Sequence, residues 1–235
     1  MYIYVTLVEL HTIAGRLMKL FSGIPYSHVT FSFDESLEDC HAIQARNIGT
    51  PLVAGYVNEN KSYWIKNEKN IRYVKYKIPV TEEEVEKIKK FIDEYSNDTE
   101  NLYNMYSAVT YIFAHGIKIY KTMLCGEFVA EILNNTSSVK LTKPAHKIFP
   151  KDLYELLKEF KEHEGILLAS EMKKNRDKSN PYFNKVKTSS HWKKGLYILK
   201  ENTYRLIFKK VSKKYDCLKT RLNENDYKTV RLVDW

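Results

Sequence analysis

Two residues of this chain have the types needed for nucleophilic thiol chemistry, a cysteine and a histidine in suitable local settings. Cys125 opens the run CGEFVAEIL, in which Val129 and Ile132 recur at helical spacing. The thiol is therefore expected at the first turn of an apolar-faced helix. The unpaired N–H groups and the positive dipole end at that position favour a thiolate, which is the nucleophilic form. Such a nucleophile needs a base within hydrogen-bond reach.

His28 is the residue that could act as this base. The run YSHVTFSF, residues 26–33, alternates like a strand and places His28 on the polar face with Thr30 and Ser32. The pair is weak by composition alone, because the chain has seven histidines and free cysteines are often buried as small hydrophobes. A catalytic role and a packing role both stay open on these residues alone.

The elements that must position this pair are strands interspersed with helices. We predict strands over 2–9, 26–33, 40–45, 71–78 and 165–168. We predict helices over 12–21, 102–114 and 150–160, and two further helices that begin at Thr81 and at Cys125. Thr81 with Glu84 forms a capping-box sequence. On the strand over 40–45, His41 and Gln44 lie on opposite faces, and the side that meets His28 depends on an unknown register.

Composition describes an ordinary soluble protein, with 43% hydrophobic and 29% charged residues. Three cysteines without paired spacing argue against a disulfide framework and against a cysteine-rich zinc site. We expect no metal and no cofactor. The N-terminus lacks a basic region with a cleavage-site pattern, and no apolar run approaches the ~20 residues that span a bilayer. We therefore expect a cytoplasmic protein.

The net charge of +9 is concentrated at the C-terminal end. Residues 171–235 carry 18 Lys and Arg against 7 Asp and Glu, so the preceding 170 residues are slightly acidic. Such a segment can contact nucleic acid or an anionic membrane, or can be a solvated appendage. Its apolar runs GLYILK and TYRLIF predict a β-hairpin. We expect a domain over 1–170 and a basic extension over 171–235.

Several separated motifs agree with one family. In chain order, these motifs are GIPYSHVTFSF, ARNIGTPLVAGYVNE, VTEEEVEKIKKFI, YKTMLCGEFVAEIL and KPAHKIFPKDL. Together they resemble, over residues 1–168, the circularly permuted NlpC-type (YiiX/YebB-like) papain-like cysteine hydrolases. The resemblance implies an α+β, permuted papain-like (NlpC-like) fold with an antiparallel sheet packed against helices. In this family the histidine strand precedes the cysteine helix, as His28 precedes Cys125.

The same resemblance implies roles for individual residues. Cys125 matches the nucleophile and His28 the base, and Gln44 is matched to the third polar residue that orients the imidazole, with His41 as its competitor. Relatives often have an acidic residue at this third position, and Gln offers a carbonyl without its charge.

The family also places a tyrosine near the oxyanion. Tyr103 is the candidate here, with Tyr106 close behind. Gly126 stands where relatives usually have serine. The smaller glycine is expected to open room beside the thiol.

The activity implied is hydrolysis of an amide, ester or thioester acyl group through a Cys-His-polar triad and a covalent acyl-enzyme. Small peptides, peptidoglycan fragments and lipid acyl groups are all substrates of the wider superfamily. The alternative is a non-catalytic binding protein on the same fold, whose basic tail contacts nucleic acid or an anionic membrane. Gln44 and the charge of residues 171–235 favour this alternative.

Overall fold

The computed structural model describes residues 1–46, 53–65, 69–114, 116–174, 181–183 and 188–208. Within these ranges the strands are β1 (Tyr2–Val8), β2 (His28–Ser32), β3 (Cys40–Ala45), β4 (Ala54–Glu59), β5 (Ile71–Pro79), β6 (Leu102–Tyr103), β7 (Thr122–Met123) and β8 (Lys161–Leu167). The α-helices are α1 (Ile13–Ser22), α2 (Glu82–Asn97), α3 (Met105–Ala114), α4 (Cys125–Leu133), α5 (Pro150–Leu156), α6 (Ala169–Lys174) and α7 (Thr188–Ile207). Short 3-10 turns lie at Lys61–Trp64, Ala145–Lys147, Lys158–Phe160 and Pro181–Phe183.

Six strands form one sheet in the order β4-β3-β2-β1-β5-β8, and each neighbouring pair is antiparallel. β1 and β2 pair with Val8 opposite His28, and β3 and β4 pair with Cys40 opposite Glu59. β6 and β7 form a separate two-stranded parallel pair. The predicted α+β class and antiparallel sheet are confirmed.

The main core lies between the sheet and α4. Alternate residues of β1, such as Val5 and Leu7, join Phe31 of β2 in contact with buried residues of α4 that include Phe128 and Ile132. Burial of a side chain of this size is worth about 1.5–3 kcal/mol. This packing fixes the start of α4 against the sheet.

A second buried cluster includes Val8, Cys40, Trp64 and Ile71. Trp64 comes from the 3-10 turn that directly follows β4 and is fully buried. The turn therefore brings an indole against the end of the sheet that carries Glu59.

The predicted capping box at the start of α2 is confirmed. The Glu84 N–H donates to the hydroxyl of Thr81 at 3.2 Å, and the Thr81 N–H donates to the Glu84 carboxylate at 2.8 Å. The second oxygen of Glu84 accepts from the backbone N–H of Ser137 at 2.6 Å. Because Ser137 follows α4, this carboxylate also ties α2 to the end of the cysteine helix.

Two predicted elements begin at other residues in the structure. The helix expected over 102–114 starts at Met105, because Leu102 and Tyr103 pair with β7 as a strand. The strand expected over 165–168 is β8, which begins at Lys161. The helix expected over 150–160 ends at Leu156, because Lys158–Phe160 form a 3-10 turn.

The predicted β-hairpin in the basic extension is wrong. Residues 188–207 form the helix α7, whose buried positions His191, Gly195, Ile198, Asn202 and Arg205 recur at helical spacing. Two apolar runs separated by a polar pair can be read either as two strands or as one helix, and the contacts with α3 and β6 select the helix.

The predicted domain boundary at residue 170 falls inside α6, and α7 beyond it packs on β6 and α3. The described part of the extension is thus in contact with the preceding residues. None of the helices in the described ranges is both long enough and apolar enough to cross a bilayer.

Candidate active site

The thiol of Cys125 lies at the first residue of α4, as the sequence predicts. Leu124 precedes it in an extended conformation, and the buried Glu127 lies in the first turn of the helix. Lys118 Nζ donates to Glu127 Oε1 at 2.5 Å and compensates the buried carboxylate. This arrangement starts the helix at Cys125 and leaves the Cys125 N–H among the first-turn donors without an intrahelical acceptor.

The imidazole of His28 lies at the first residue of β2 and is 3% exposed. The Cys125 side chain lies close enough to the imidazole to raise its pKa. The contact follows from the packing of α4 on β2, which brings the start of the helix to the start of the strand. The two residues singled out by the sequence are therefore brought together.

The other side of the imidazole meets Glu59, the last residue of β4. His28 Nε2 donates to Glu59 Oε1 at 2.8 Å. Because a carboxylate only accepts, the proton of the neutral ring resides on Nε2. Nδ1 is then the ring nitrogen left to accept the thiol proton.

Glu59 is itself held by further donors although it is only 1% exposed. Trp64 Nε1 donates to Oε1 at 3.0 Å, and the side-chain amide of Gln44 donates to Oε2. Burial of a carboxylate is tolerated when its oxygens are hydrogen-bonded in this way. These bonds fix the orientation of the Glu59 carboxylate, which in turn aligns the imidazole of His28.

The electrostatic surroundings of His28 favour its charged form. Burial alone lowers the pKa of His28, but the Glu59 carboxylate and the hydrogen bond and charge of Cys125 raise it, and the net pKa lies above the ordinary value. The site therefore stabilises an imidazolium beside the Glu59 carboxylate and next to Cys125. An imidazolium next to a cysteine is the arrangement that activates a cysteine nucleophile.

Gln44 and His41 occupy different places from those the resemblance implied. The residue bonded to the imidazole is Glu59, and Gln44 supports that carboxylate from β3. His41 Nδ1 is bonded to the hydroxyl of Tyr56 at 2.7 Å. The third polar group of the site thus comes from one strand further along the chain and is acidic.

Tyr103 lies near the thiol, whereas the hydroxyl of Tyr106 is used elsewhere. Tyr103 pairs with Met123, two residues before Cys125, and all three pack against the main core. Burial raises the pKa of Tyr103, and the charge of Cys125 adds to that increase, so the phenol is a proton donor rather than a phenolate. Tyr106 is bonded to Thr203 of α7 at 2.8 Å.

The space beside Gly126 is filled, contrary to the expectation that it opens room by the thiol. A Cβ atom at this position would lie 2.5 Å from the carbonyl oxygen of Ile148 and 3.1 Å from the Cα of Phe149. The backbone of the segment before α5 therefore packs directly on the first turn of α4. Glycine is required here for close approach.

The inner face of α7 holds the segment that carries Tyr103. Asn202 is fully buried, and its Nδ2 donates to the Tyr103 carbonyl at 3.1 Å while its Oδ1 accepts from the Met105 N–H at 3.1 Å. Arg205 Nη1 donates to the carbonyls of Glu100, Tyr120 and Lys121 at 2.9, 3.2 and 3.1 Å. These bonds join the ends of β6 and β7, the two strands that flank the thiol. The sequence indicated no such role.

No protein-family model, curated protein or solved structure matches this chain. The function is therefore inferred from the geometry of Cys125, His28 and Glu59. Among the described residues, no group of three or more His, Cys, Asp or Glu side chains is placed to hold a metal ion.

Histidines outside the site make local contacts. His11 Nε2 is bonded to the carbonyl of Asn70 at 3.0 Å. His163 packs beside Tyr73. His191 is buried on α7, and His115 lies outside the described residues.

Proposed function

We propose that this chain is a cysteine hydrolase of the permuted NlpC-type, papain-like kind, acting on an amide, ester or thioester acyl group. The observation that supports it best is the placement of His28 between two partners. Its Nε2 donates to the buried Glu59 carboxylate, and the Cys125 side chain lies close enough to the ring to raise its pKa. A nucleophile, a base and an acidic orienting group in one contact chain are the arrangement that acyl transfer needs.

The mechanism follows from these contacts. His28 Nδ1 accepts the proton of Cys125, and the sulfur attacks the acyl carbon while the carbonyl π electrons move to oxygen. The Cys125 N–H and the Tyr103 hydroxyl donate to this oxyanion. Collapse of the tetrahedral intermediate breaks the bond to the leaving group, which takes the proton from the imidazolium. Water, deprotonated by His28, then cleaves the thioester and regenerates the thiol.

Glu59 supports both proton transfers. A carboxylate hydrogen-bonded to one ring nitrogen fixes the tautomer and stabilises the imidazolium that forms when the other nitrogen is protonated. A glutamine acting directly on the ring would lack this charge. A neutral third residue is the main argument from individual residues for a protein that binds without catalysis. The position of Glu59 weakens this argument, because the residue bonded to His28 is acidic.

We further propose that the protein acts in a reducing, cytoplasmic setting. Cys40 and Cys125 are both free thiols, and the mechanism needs the thiol of Cys125 unoxidised. Small peptides and acyl compounds are the substrate classes consistent with this chemistry.

The test uses p-nitrophenyl acetate, an activated ester that requires little substrate recognition. We expect a burst of p-nitrophenol of one equivalent per chain and an acetyl group on Cys125, located by peptide mass spectrometry. Cys125→Ala should remove both signals. A burst that survives in Cys125→Ala would show that another group is acylated and would disprove the proposal.

The second measurement compares two cysteines in the same folded chain. Burial raises the pKa of Cys40 well above its ordinary value, so this thiol serves as an internal control. At neutral pH, iodoacetamide should label Cys125 and leave Cys40 unmodified. Labelling of Cys125 no faster than that of Cys40 would contradict an activated nucleophile.

A further inference from the structure

The helix α7 buries several polar residues and exposes several large apolar residues. Its buried face carries Asn202, Glu201 and Arg205. Its outer face carries Trp192, Leu196, Leu199 and Ile207, which are 55%, 60%, 40% and 66% exposed. A helix on the surface of a protein ordinarily shows the opposite arrangement.

These outer residues form one stripe. Positions 192, 196, 199 and 207 recur at helical spacing along the same side of α7. A contiguous exposed apolar surface of this kind marks an interaction site more often than scattered single residues do. Asn202 and Arg205 form hydrogen bonds with the segments of β6 and β7, so the orientation of α7 is fixed by those contacts.

The charges beside the stripe have one sign. Lys193 and Lys200 are exposed on α7, and its single acidic residue, Glu201, is buried beside Arg205. The chain continues after Phe208 with Lys209, Lys210, Lys213 and Lys214. Apolar side chains including a tryptophan, flanked by lysines, suit a surface that is apolar inside and anionic outside.

We propose that the outer face of α7 docks on an anionic phospholipid bilayer. The indole of Trp192 and the side chains of Leu196 and Leu199 enter the boundary between headgroups and acyl chains, while Lys193 and Lys200 contact the anionic headgroups. A nucleic acid would satisfy the lysines but leave the apolar stripe exposed to water. This docking is independent of the thiol chemistry, since none of its residues touches Cys125, His28 or Glu59.

The test measures binding of the full chain to vesicles by flotation, with phosphatidylcholine alone and with added phosphatidylglycerol. We expect binding to the phosphatidylglycerol vesicles that weakens as salt is raised, and little binding to phosphatidylcholine alone. The paired substitution Leu196→Glu with Leu199→Glu should abolish binding. Leu20→Glu is the matched control, because Leu20 is a 74% exposed leucine on α1, and it should bind as the unsubstituted chain does.

Tryptophan fluorescence shows which face enters the bilayer. The experiment uses a Trp235→Phe background, which removes the third tryptophan of the chain. Trp64 is fully buried and Trp192 is half exposed, so transfer of Trp192 into lipid should shift the emission to the blue. Trp192→Phe should remove the shift. A shift that persists in Trp192→Phe would place the contact elsewhere and overturn the proposal.

Three other outcomes would also overturn it. These are absence of binding to anionic vesicles, binding unaffected by the Leu196/Leu199 substitutions, and a dimer in solution that those substitutions dissociate. The last result would assign the face to a second copy of the chain. Binding of an oligonucleotide without binding of vesicles would assign the lysines to nucleic acid and leave the bilayer proposal refuted.

Discussion

Gln44 and Glu59 are hydrogen-bonded across the β3–β4 pair, with the amide donating to the carboxylate that in turn accepts from His28. Gln44 is therefore separated from the imidazole by two hydrogen bonds, with Glu59 between them. Its effect on acyl transfer should therefore be indirect and smaller than that of Glu59. Outer partners of this kind orient the groups that do the chemistry, and their loss costs about 10–100-fold at metal sites built on the same logic.

The first prediction concerns the size of these two effects. Glu59→Gln keeps the shape and can still accept from His28 Nε2, but it removes the charge that stabilises the imidazolium. We expect the rate of acylation by p-nitrophenyl acetate to fall by about 10²–10⁴-fold, the range for a lost acid–base contribution. Gln44→Ala should reduce the same rate by about 10-fold.

Circular dichroism would verify that both variants fold. A larger loss of acylation rate in Gln44→Ala than in Glu59→Gln would contradict the assignment of Glu59 as the residue that orients His28. Equal, small effects would indicate that Glu59 is needed only for packing. His41→Ala is the control, since His41 contacts Tyr56 and lies outside the proposed contact chain.

The second prediction concerns pH. The folded-state pKa of His28 lies above its value in the unfolded chain, so its contribution to stability is complete below about pH 6.5 and is lost as pH rises through the folded-state pKa. Glu59→Gln removes the largest cause that raises this pKa. The difference in the free energy of unfolding between the two chains should therefore shrink as pH rises above about 6.5.

Denaturant unfolding at a series of pH values measures this difference. The same comparison in a His28→Gln background provides the control, because no imidazole is then present to titrate. A difference that grows with pH would give the wrong sign for the proposed coupling between Glu59 and His28.

The sequence was informative about Cys125 and His28 because each belongs to a regular local pattern. A helix start and an alternating strand are visible without knowledge of the fold. Glu59 lacks such a pattern, since β4 contains Gly55 and Asn58, which are poor strand formers. Its role depends on the register that pairs Cys40 with Glu59 and on Trp64 from the next turn.

A shift of one residue in the register between β3 and β4 would turn Glu59 to the other face of the sheet, and the sequence alone does not reveal this register. The one local signal that could have suggested a hydrogen-bonded carboxylate is the position of Glu59 five residues before Trp64, whose indole N–H donates to it. The inward placement of Asn202 on α7 had no comparable signal. Its partners, Tyr103 and Met105, lie about a hundred residues earlier.

The third prediction concerns Asn202 as a positioning residue acting through Tyr103. Tyr103→Phe should slow acylation by p-nitrophenyl acetate, which passes through an oxyanion, by about 10–1000-fold. It should leave alkylation by iodoacetamide, which forms no oxyanion, almost unchanged. Asn202→Ala should show the same selective loss because it releases the Tyr103 carbonyl and the Met105 N–H.

A double-mutant cycle separates positioning from general destabilisation. In the Tyr103→Phe background, Asn202→Ala should cause little further loss of acylation, although its stability cost of about 1–3 kcal/mol should remain. Additive losses in the acylation rate would show that Asn202 does not act through Tyr103. Thr203→Ala, which removes the bond to Tyr106 on the same helix, is the control.

The fourth prediction concerns Gly126, where an added methyl group tests how closely the segment before α5 packs on the cysteine helix. In the interior of an ordinary helix, replacing glycine by alanine stabilises by up to ~1 kcal/mol. At Gly126 the new Cβ would meet the Ile148 carbonyl at 2.5 Å. We therefore expect Gly126→Ala to destabilise by about 1–3 kcal/mol, the usual cost of overpacking.

The sign of the change in the free energy of unfolding distinguishes the two effects. Helix propensity predicts that Gly126→Ala stabilises the protein, and close packing predicts that it destabilises the protein. Gly126→Ser should destabilise at least as much, since its hydroxyl adds further volume at the same contact. Because the displaced backbone lies against the first turn of α4, the rate of Cys125 acylation should also fall. Denaturant unfolding of both variants measures the first effect, and a stability gain in Gly126→Ala would show that the backbone at Ile148 can move away without cost.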